Sequence, residues 1–297
     1  MKVILDIIRV IILSIVEGVT EFLPVSSTGH LILVNEFVKL EPQSFSNAFN
    51  VIIQLGAIIS VIVVYFTRLN PFTIKKMKKK EIPSNYEEMN FQSKFVFLVK
   101  NYDKETISLW GKVIVGLIPA GVLGLLFDDL IDHYLMTPMV VASTLLIYGI
   151  IIILIEKRNE GKKNFKIEST EELDYRTAFM IGLFQCLAMV PGTSRSAATI
   201  IGGMILGLNR KAAADFSFFL AIPTMIGATL LKVVKNLGTF TFYQWMLIGL
   251  GFVLSFIVAY FVIKKFLSYI QKNDFKVFGY YRIVLSILVF IYFLFIK

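Results

Sequence analysis

Long apolar runs parted by short charged stretches set the pattern of this chain. Six of them, residues 47–66, 111–127, 137–155, 213–234, 243–266 and 280–296, approach the ~20 residues that a helix needs to cross the hydrocarbon of a bilayer. The stretch from Phe91 to Leu109 is too broken by charge to be another. Two further regions, roughly 3–38 and 177–208, are apolar but interrupted by Pro24 and Pro191 among serines and glycine. Proline removes an N–H donor and disfavours helix in the residue before it. The pattern therefore predicts broken, re-entrant helix pairs there, whose non-helical backbone must be satisfied by protein or a water-filled cavity.

Composition agrees with a membrane solvent. Of 297 residues, 56% are hydrophobic and mean hydropathy is +0.73, above the ~45–50% apolar content of soluble domains. The expected fold is an all-α polytopic membrane protein: about six transmembrane helices plus two re-entrant pairs in a single membrane domain, residues 1–297. A lone cysteine, Cys186, rules out a disulfide within the chain. The apolar start runs into Glu17 and Glu21 without a small-residue cleavage site, so it does not read as a signal peptide.

The net charge of +9 gathers in the connections: Lys75, Lys76 and Lys78–Lys80; Lys157, Arg158, Lys162 and Lys163; Lys264 and Lys265. Basic clusters beside apolar spans mark cytoplasmic loops and suit anionic headgroups; nucleic acid is not the expected partner. Placing loops 67–105, 156–176 and 264–276 in the cytoplasm satisfies the span count and leaves both termini outside. The first broken pair then enters from the outer face and the second from the cytoplasmic face. This is an inverted repeat of roughly 1–155 and 156–297, with the polar loop 67–106 inserted. Pro24-Val-Ser26-Ser27 parallels Pro191-Gly-Thr193-Ser194 in the two halves. Such repeats hold their ligand near the midplane, where half-helix N-termini meet.

Charge at that depth costs roughly 2.5–3.5 kcal/mol per residue even on the mildest insertion scale, so charged groups in the breaks need a reason. Glu17 and Glu21, four apart, share a helix face and suit a divalent cation or a shared proton; the plainer reading is a solvated helix end. Ser26, Ser27 and Thr28 follow the proline, where they cap the next half-helix and its N–H groups can hold phosphate. Capping or helix–helix contact alone is the plainer role. His30, three residues after Ser27, suits a nucleophile, a general base or a metal ligand. His133, beside Asp128, Asp129 and Asp132, reads as a wet surface cluster. Arg195 presents a rigid fork of donors that matches phosphate. Within Gly192-Thr193-Ser194-Arg195-Ser196 it would meet the phosphate from the opposite side, or pair with Glu17 or Glu21. Nucleotide binding is not expected, because the P-loop lysine and its preceding strand are missing.

Glu17-Gly-Val-Thr-Glu21-Phe-Leu-Pro-Val-Ser-Ser-Thr-Gly-His30 and Pro191-Gly-Thr-Ser-Arg195-Ser-Ala-Ala-Thr199 resemble the two signatures of the bacterial undecaprenyl-diphosphate phosphatase family, the bacitracin-resistance type. Length and span order fit across essentially the whole chain. The resemblance implies hydrolysis of the C55 isoprenoid diphosphate to the monophosphate carrier of peptidoglycan synthesis, in the bacterial plasma membrane, at a site facing the extracytoplasmic side. It also implies a divalent cation, Mg2+ or Ca2+, on Glu17 and Glu21. By matching position, Glu17, Glu21, Ser27, His30 and Arg195 take catalytic roles. Ser194 takes substrate binding by the same match, and its motif neighbours Gly192, Thr193 and Ser196, with Ser26 and Thr28 of the first motif, are expected to bind substrate with it. The nucleophile stays open among Ser27, His30 and water. Expected partners are the lipid-linked diphosphate, the bilayer and a second copy of the chain. The rival function is a transporter or flippase of prenyl phosphate or another anion, which the repeat favours. A serine protease built on Ser27 and His30 would leave the acidic pair and Arg195 without a task.

Overall fold

The computed structural model describes residues 2–77, 82–135, 137–162, 164–236 and 238–296. Lys78–Lys80 and Lys163 of the basic loops lie outside the described residues, as do the side chains of residues 128–133 and with them the His133 cluster. The described residues form helices α1 (Lys2–Thr20), α2 (Ser27–Phe37), α3 (Gln43–Val64), α4 (Phe66–Leu69), α5 (Phe91–Lys100), α6 (Lys104–Leu135), α7 (Pro138–Asn159), α8 (Tyr175–Cys186), α9 (Arg195–Ile205), α10 (Arg210–Lys235), α11 (Phe242–Ile270) and α12 (Lys276–Ile291).

Six helices are long and apolar enough to span a bilayer: α3, α6, α7, α10, α11 and α12. They fall on the six predicted runs. Their true ends lie where side chains satisfy the first free amides. Asp103 accepts from the Thr106 amide at 3.1 Å before α6, which therefore starts well ahead of residue 111. Thr137 caps α7 with Pro138 in its first turn. Thr241 and Gln244 form a reciprocal capping box at α11. The charged stretch from Phe91 to Leu109 splits into α5 and the first turns of α6. Both proline-containing regions are helix–break–helix units, α1 with α2 and α8 with α9.

The bundle is built by close pairings. α11 packs on α3 and α1, α12 on α7, α8 on α6, and α10 on α3, α6 and α9. At Gly182 of α8 a Cβ would fall on the backbone of Gly116 in α6, so these helices meet backbone to backbone, the approach that small residues allow in membranes. Phe216, Phe218 and Phe219 of α10 are fully buried. The ring of Phe22, in the first break, meets Phe218 edge-on at 5.2 Å and fixes that break on the core. Elsewhere large apolar side chains such as Leu125, Leu154, Leu230 and Phe261 stand exposed along the spans, as a hydrocarbon solvent permits.

Candidate active site

The two breaks are built alike. Ser26 (φ 72°) precedes α2 and its Oγ accepts from the Gly29 amide at 3.2 Å. Ser194 (φ 73°) precedes α9 and accepts from the Ala197 amide at 3.2 Å. These are the non-glycine residues with positive φ among the described residues, a conformation that costs an L-residue roughly 1–2 kcal/mol. The backbone reversal turns both eleven-residue helices so that their N-terminal amides begin inside the protein. The breaks also touch directly: Ser196 Oγ donates to the Leu23 carbonyl at 3.0 Å and shares a hydrogen bond with Ser194 Oγ, also at 3.0 Å.

Glu21, Ser27 and Arg195 meet at this junction. Ser27 Oγ donates to Glu21 Oε2 at 2.6 Å, and Arg195 Nη2 donates to Glu21 Oε1 at 2.9 Å. Arg195 Nη1 is held by the Ser217 carbonyl at 3.0 Å, while its Nε is buried without a partner. Thr199 bonds both the Arg195 carbonyl and the Ser217 hydroxyl, which braces the arginine from below. Glu17 is fully buried and neither carboxylate oxygen has a hydrogen-bond partner. Its charged neighbours are Glu21 and Arg195. Two adjacent carboxyl groups in a dry site call for a proton or a cation between them.

His30 lies one step outside this triad. Its Nδ1 is 2.7 Å from the Ser26 carbonyl and its Nε2 is 2.6 Å from the Tyr281 hydroxyl, with the two rings stacked at 5.6 Å. A carbonyl only accepts, so Nδ1 carries the proton and Nε2 receives the phenol hydrogen. Ser27 therefore turns to Glu21, although it shares a helical face with His30. Thr28 is half-buried in the first turn of α2. Gly192 has φ 85°, and a Cβ there would overlap Thr144 Oγ1 and the Val141 backbone; only glycine passes this point without strain.

Arg282 of α12, fully buried, was not among the residues expected from the sequence. Its guanidinium donates to the carbonyls of Gly192 (2.8 Å), Thr193 (3.0 Å) and Pro24 (3.3 Å). It ties the first break to the second. Thr144 adds a bond to the Pro191 carbonyl at 2.6 Å. The signal was present: Arg282 is a charged residue inside an apolar run, and the cost argument that marked Glu17 applies to it equally.

The arrangement offers a hydroxyl on a carboxylate, a guanidinium with an unused donor, and two converging helix N-termini. That set fits an anionic, tetrahedral group and a displacement at its centre. Glu17 and Glu21, with oxygen donors of which two are orphaned, also fit a hard cation that takes further ligands from phosphate oxygens.

The chain is similar to known proteins over nearly its whole length. The family model described as bacitracin resistance protein BacA matches residues 10–288. Undecaprenyl-diphosphatase 1 of Clostridioides difficile (strain 630) is 50% identical over 291 residues, 97% of each chain. The undecaprenyl-diphosphatase of Enterococcus faecalis is 46% identical over 286 residues, 96% of each. That of Fusobacterium nucleatum is 50% identical over 284 residues, 94% of this chain and 98% of its own.

Proposed function

The chain belongs to the bacitracin resistance protein BacA family, and from that premise we propose how its two breaks work as one phosphohydrolase site. The activity is that of an undecaprenyl-diphosphatase. It hydrolyses the lipid-linked diphosphate to the monophosphate and inorganic phosphate, in a multi-pass membrane protein.

In this reading the incoming terminal phosphate displaces Glu21 from Arg195, whose Nη2 and unpartnered Nε turn to the phosphate oxygens. The amides at the start of α2 and α9 complete the cradle. Glu21, released from the guanidinium, accepts the proton of Ser27 as Ser27 Oγ attacks the terminal phosphorus. The bond between that phosphorus and the bridging oxygen breaks, and prenyl monophosphate leaves. Glu21 passes the Ser27 proton to the departing monophosphate and is a carboxylate again. Water then attacks the phosphoserine as Glu21 takes the water's proton, and Glu21 hands that proton to the Ser27 oxygen as the P–O bond breaks, freeing inorganic phosphate and restoring the serine hydroxyl. A divalent cation held by Glu17 and Glu21 would supply charge neutralisation to the phosphates. His30 is a positioning residue here: it fixes the Ser26 carbonyl and thereby the left-handed cap from which Ser27 projects.

The observation that carries this reading is the 2.6 Å bond from Ser27 Oγ to Glu21 Oε2, with Arg195 on the other oxygen of the same carboxylate. A carrier would have no use for a serine so held. Acid quenching with substrate labelled in its terminal phosphate tests it. Labelled phosphoserine should appear in the wild-type protein and vanish in Ser27→Ala, with phosphate release down by at least about 10³-fold. Normal turnover in Ser27→Ala would exclude serine as the nucleophile.

The extracytoplasmic opening of the site and the inverted repeat belong to the same reading. The positive-inside arrangement of the basic loops supports the first. The twin caps at Ser26 and Ser194 support the second, as does the exchange of partners in which α1 packs on α11 and α8 on α6.

A further inference from the structure

The hydrolytic site makes no use of the polar insertion between α4 and α6, yet the insertion contains a helix with a marked apolar face. In α5, Phe91, Phe95 and Val99 recur every fourth residue and form one stripe, with Val96 beside it. They are 83, 59, 41 and 50% exposed, and no residue of the helix is buried. The other side of α5 is the one that holds it to the protein. The Phe97 ring meets Tyr86 edge-on at 5.5 Å, and Lys94 Nζ donates to the Glu87 carbonyl at 2.9 Å while lying over the Tyr86 ring. The apolar stripe is thus turned away from the chain's own contacts.

Two observations identify what meets it. Exposed apolar side chains also flank the helix in sequence, Phe66 and Phe72 before it and Tyr102 and Ile107 after it, and the membrane-spanning α6 begins at Lys104, just after α5 ends at Lys100. Residues 72–100 also carry seven lysines against three glutamates, a charge that suits anionic headgroups. An apolar stripe with basic flanks is the pattern of a helix lying in the plane of the membrane surface. We infer that α5 is an interfacial helix in the leaflet bordering loop 67–106. Its Phe91–Phe95–Val99 stripe rests on acyl chains, and the net positive charge of the segment favours an anionic leaflet.

Nitroxide collision measurements on the full chain in phosphatidylethanolamine–phosphatidylglycerol vesicles test this. In a Cys186→Ser background, which keeps a side-chain donor for the Gly182 carbonyl, a label is placed at Phe95→Cys or, on the far side of the helix, at Lys100→Cys. Retained phosphate release reports intact folding, and Phe91→Cys replaces Phe95→Cys if that variant fails to fold. The stripe label should be several-fold more accessible to oxygen than to an aqueous nickel chelate, and Lys100→Cys should show the reverse. Raising the phosphatidylglycerol fraction should deepen the stripe label. Equal chelate access at both positions would overturn the inference. So would a stripe label shielded from both reagents, which would mean that protein, such as a second copy, covers the helix.

Discussion

Replacing Arg282 by methionine should cripple a site that Arg282 never touches with substrate. Besides the carbonyls of Thr144 and Leu145 in α7, the guanidinium holds three carbonyls of the breaks at 2.8–3.3 Å, one from the first break and two from the second. Each carbonyl left unpaired in the dry interior costs about 1–3 kcal/mol, a gross loss of about 3–9 kcal/mol for the three. Methionine refills part of the space and removes a buried cation whose desolvation opposes folding, so the net destabilisation should be about 3–5 kcal/mol. The effect on turnover is separate. Freeing Pro24 from Gly192 and Thr193 loosens Glu21 and Ser27 against Arg195, and a misplacement of ~1 Å costs about 10²-fold in rate. Thermal unfolding in detergent, followed with a thiol-reactive dye on Cys186, measures the first quantity. Phosphate release well below the transition measures the second. Arg282→Lys keeps the charge but loses the fork, and should recover part of the stability and less of the rate. An Arg282→Met protein that melts and turns over like the wild type would falsify the argument.

Gly192→Ala places a Cβ on Thr144 Oγ1 and the Val141 backbone at φ 85°; its yield of monodisperse protein on size exclusion should collapse. Tyr281→Phe removes the hydroxyl from His30 Nε2. It should lower kcat severalfold with little change in KM and cost only about 1 kcal/mol in stability; steady-state kinetics and melting together check this. Chelation with EDTA should abolish phosphate release and added Mg2+ or Ca2+ should restore it. Glu17→Gln should raise the cation concentration needed for half-activity, read from the same assay.

Hydropathy was enough to find the six spans, because in a bilayer the solvent itself enforces a run of apolar residues. Pro24 and Pro191 made the breaks legible for the same kind of reason, since each removes an amide that the helix needs. The meeting of Glu21 with Arg195, 174 residues apart, was legible as chemistry: opposite charges at a costly depth seek each other. The direction of Ser27 was not. Its helical spacing to His30 suggested a couple, but the left-handed backbone at Ser26 turns the hydroxyl toward Glu21, and serine, unlike glycine, does not advertise that conformation. Arg282, Tyr281 and Asp215 are not legible as structural anchors because they sit inside long apolar runs. Asp215 in fact takes a hydrogen bond from Tyr65 and an ion pair from Arg68, both at 2.5 Å.

The bond from Arg282 to Pro24 joins positions 258 residues apart in the chain, and this has a consequence for biogenesis. A polytopic protein enters the membrane roughly in order of synthesis, so α1 and α2 are inserted long before α12 exists. Until α12 arrives, the carbonyls at both breaks lack their shared donor, and the two breaks are not tied to each other through it. Full hydrolytic competence should therefore appear late in insertion, once α12 has brought Arg282 to the breaks.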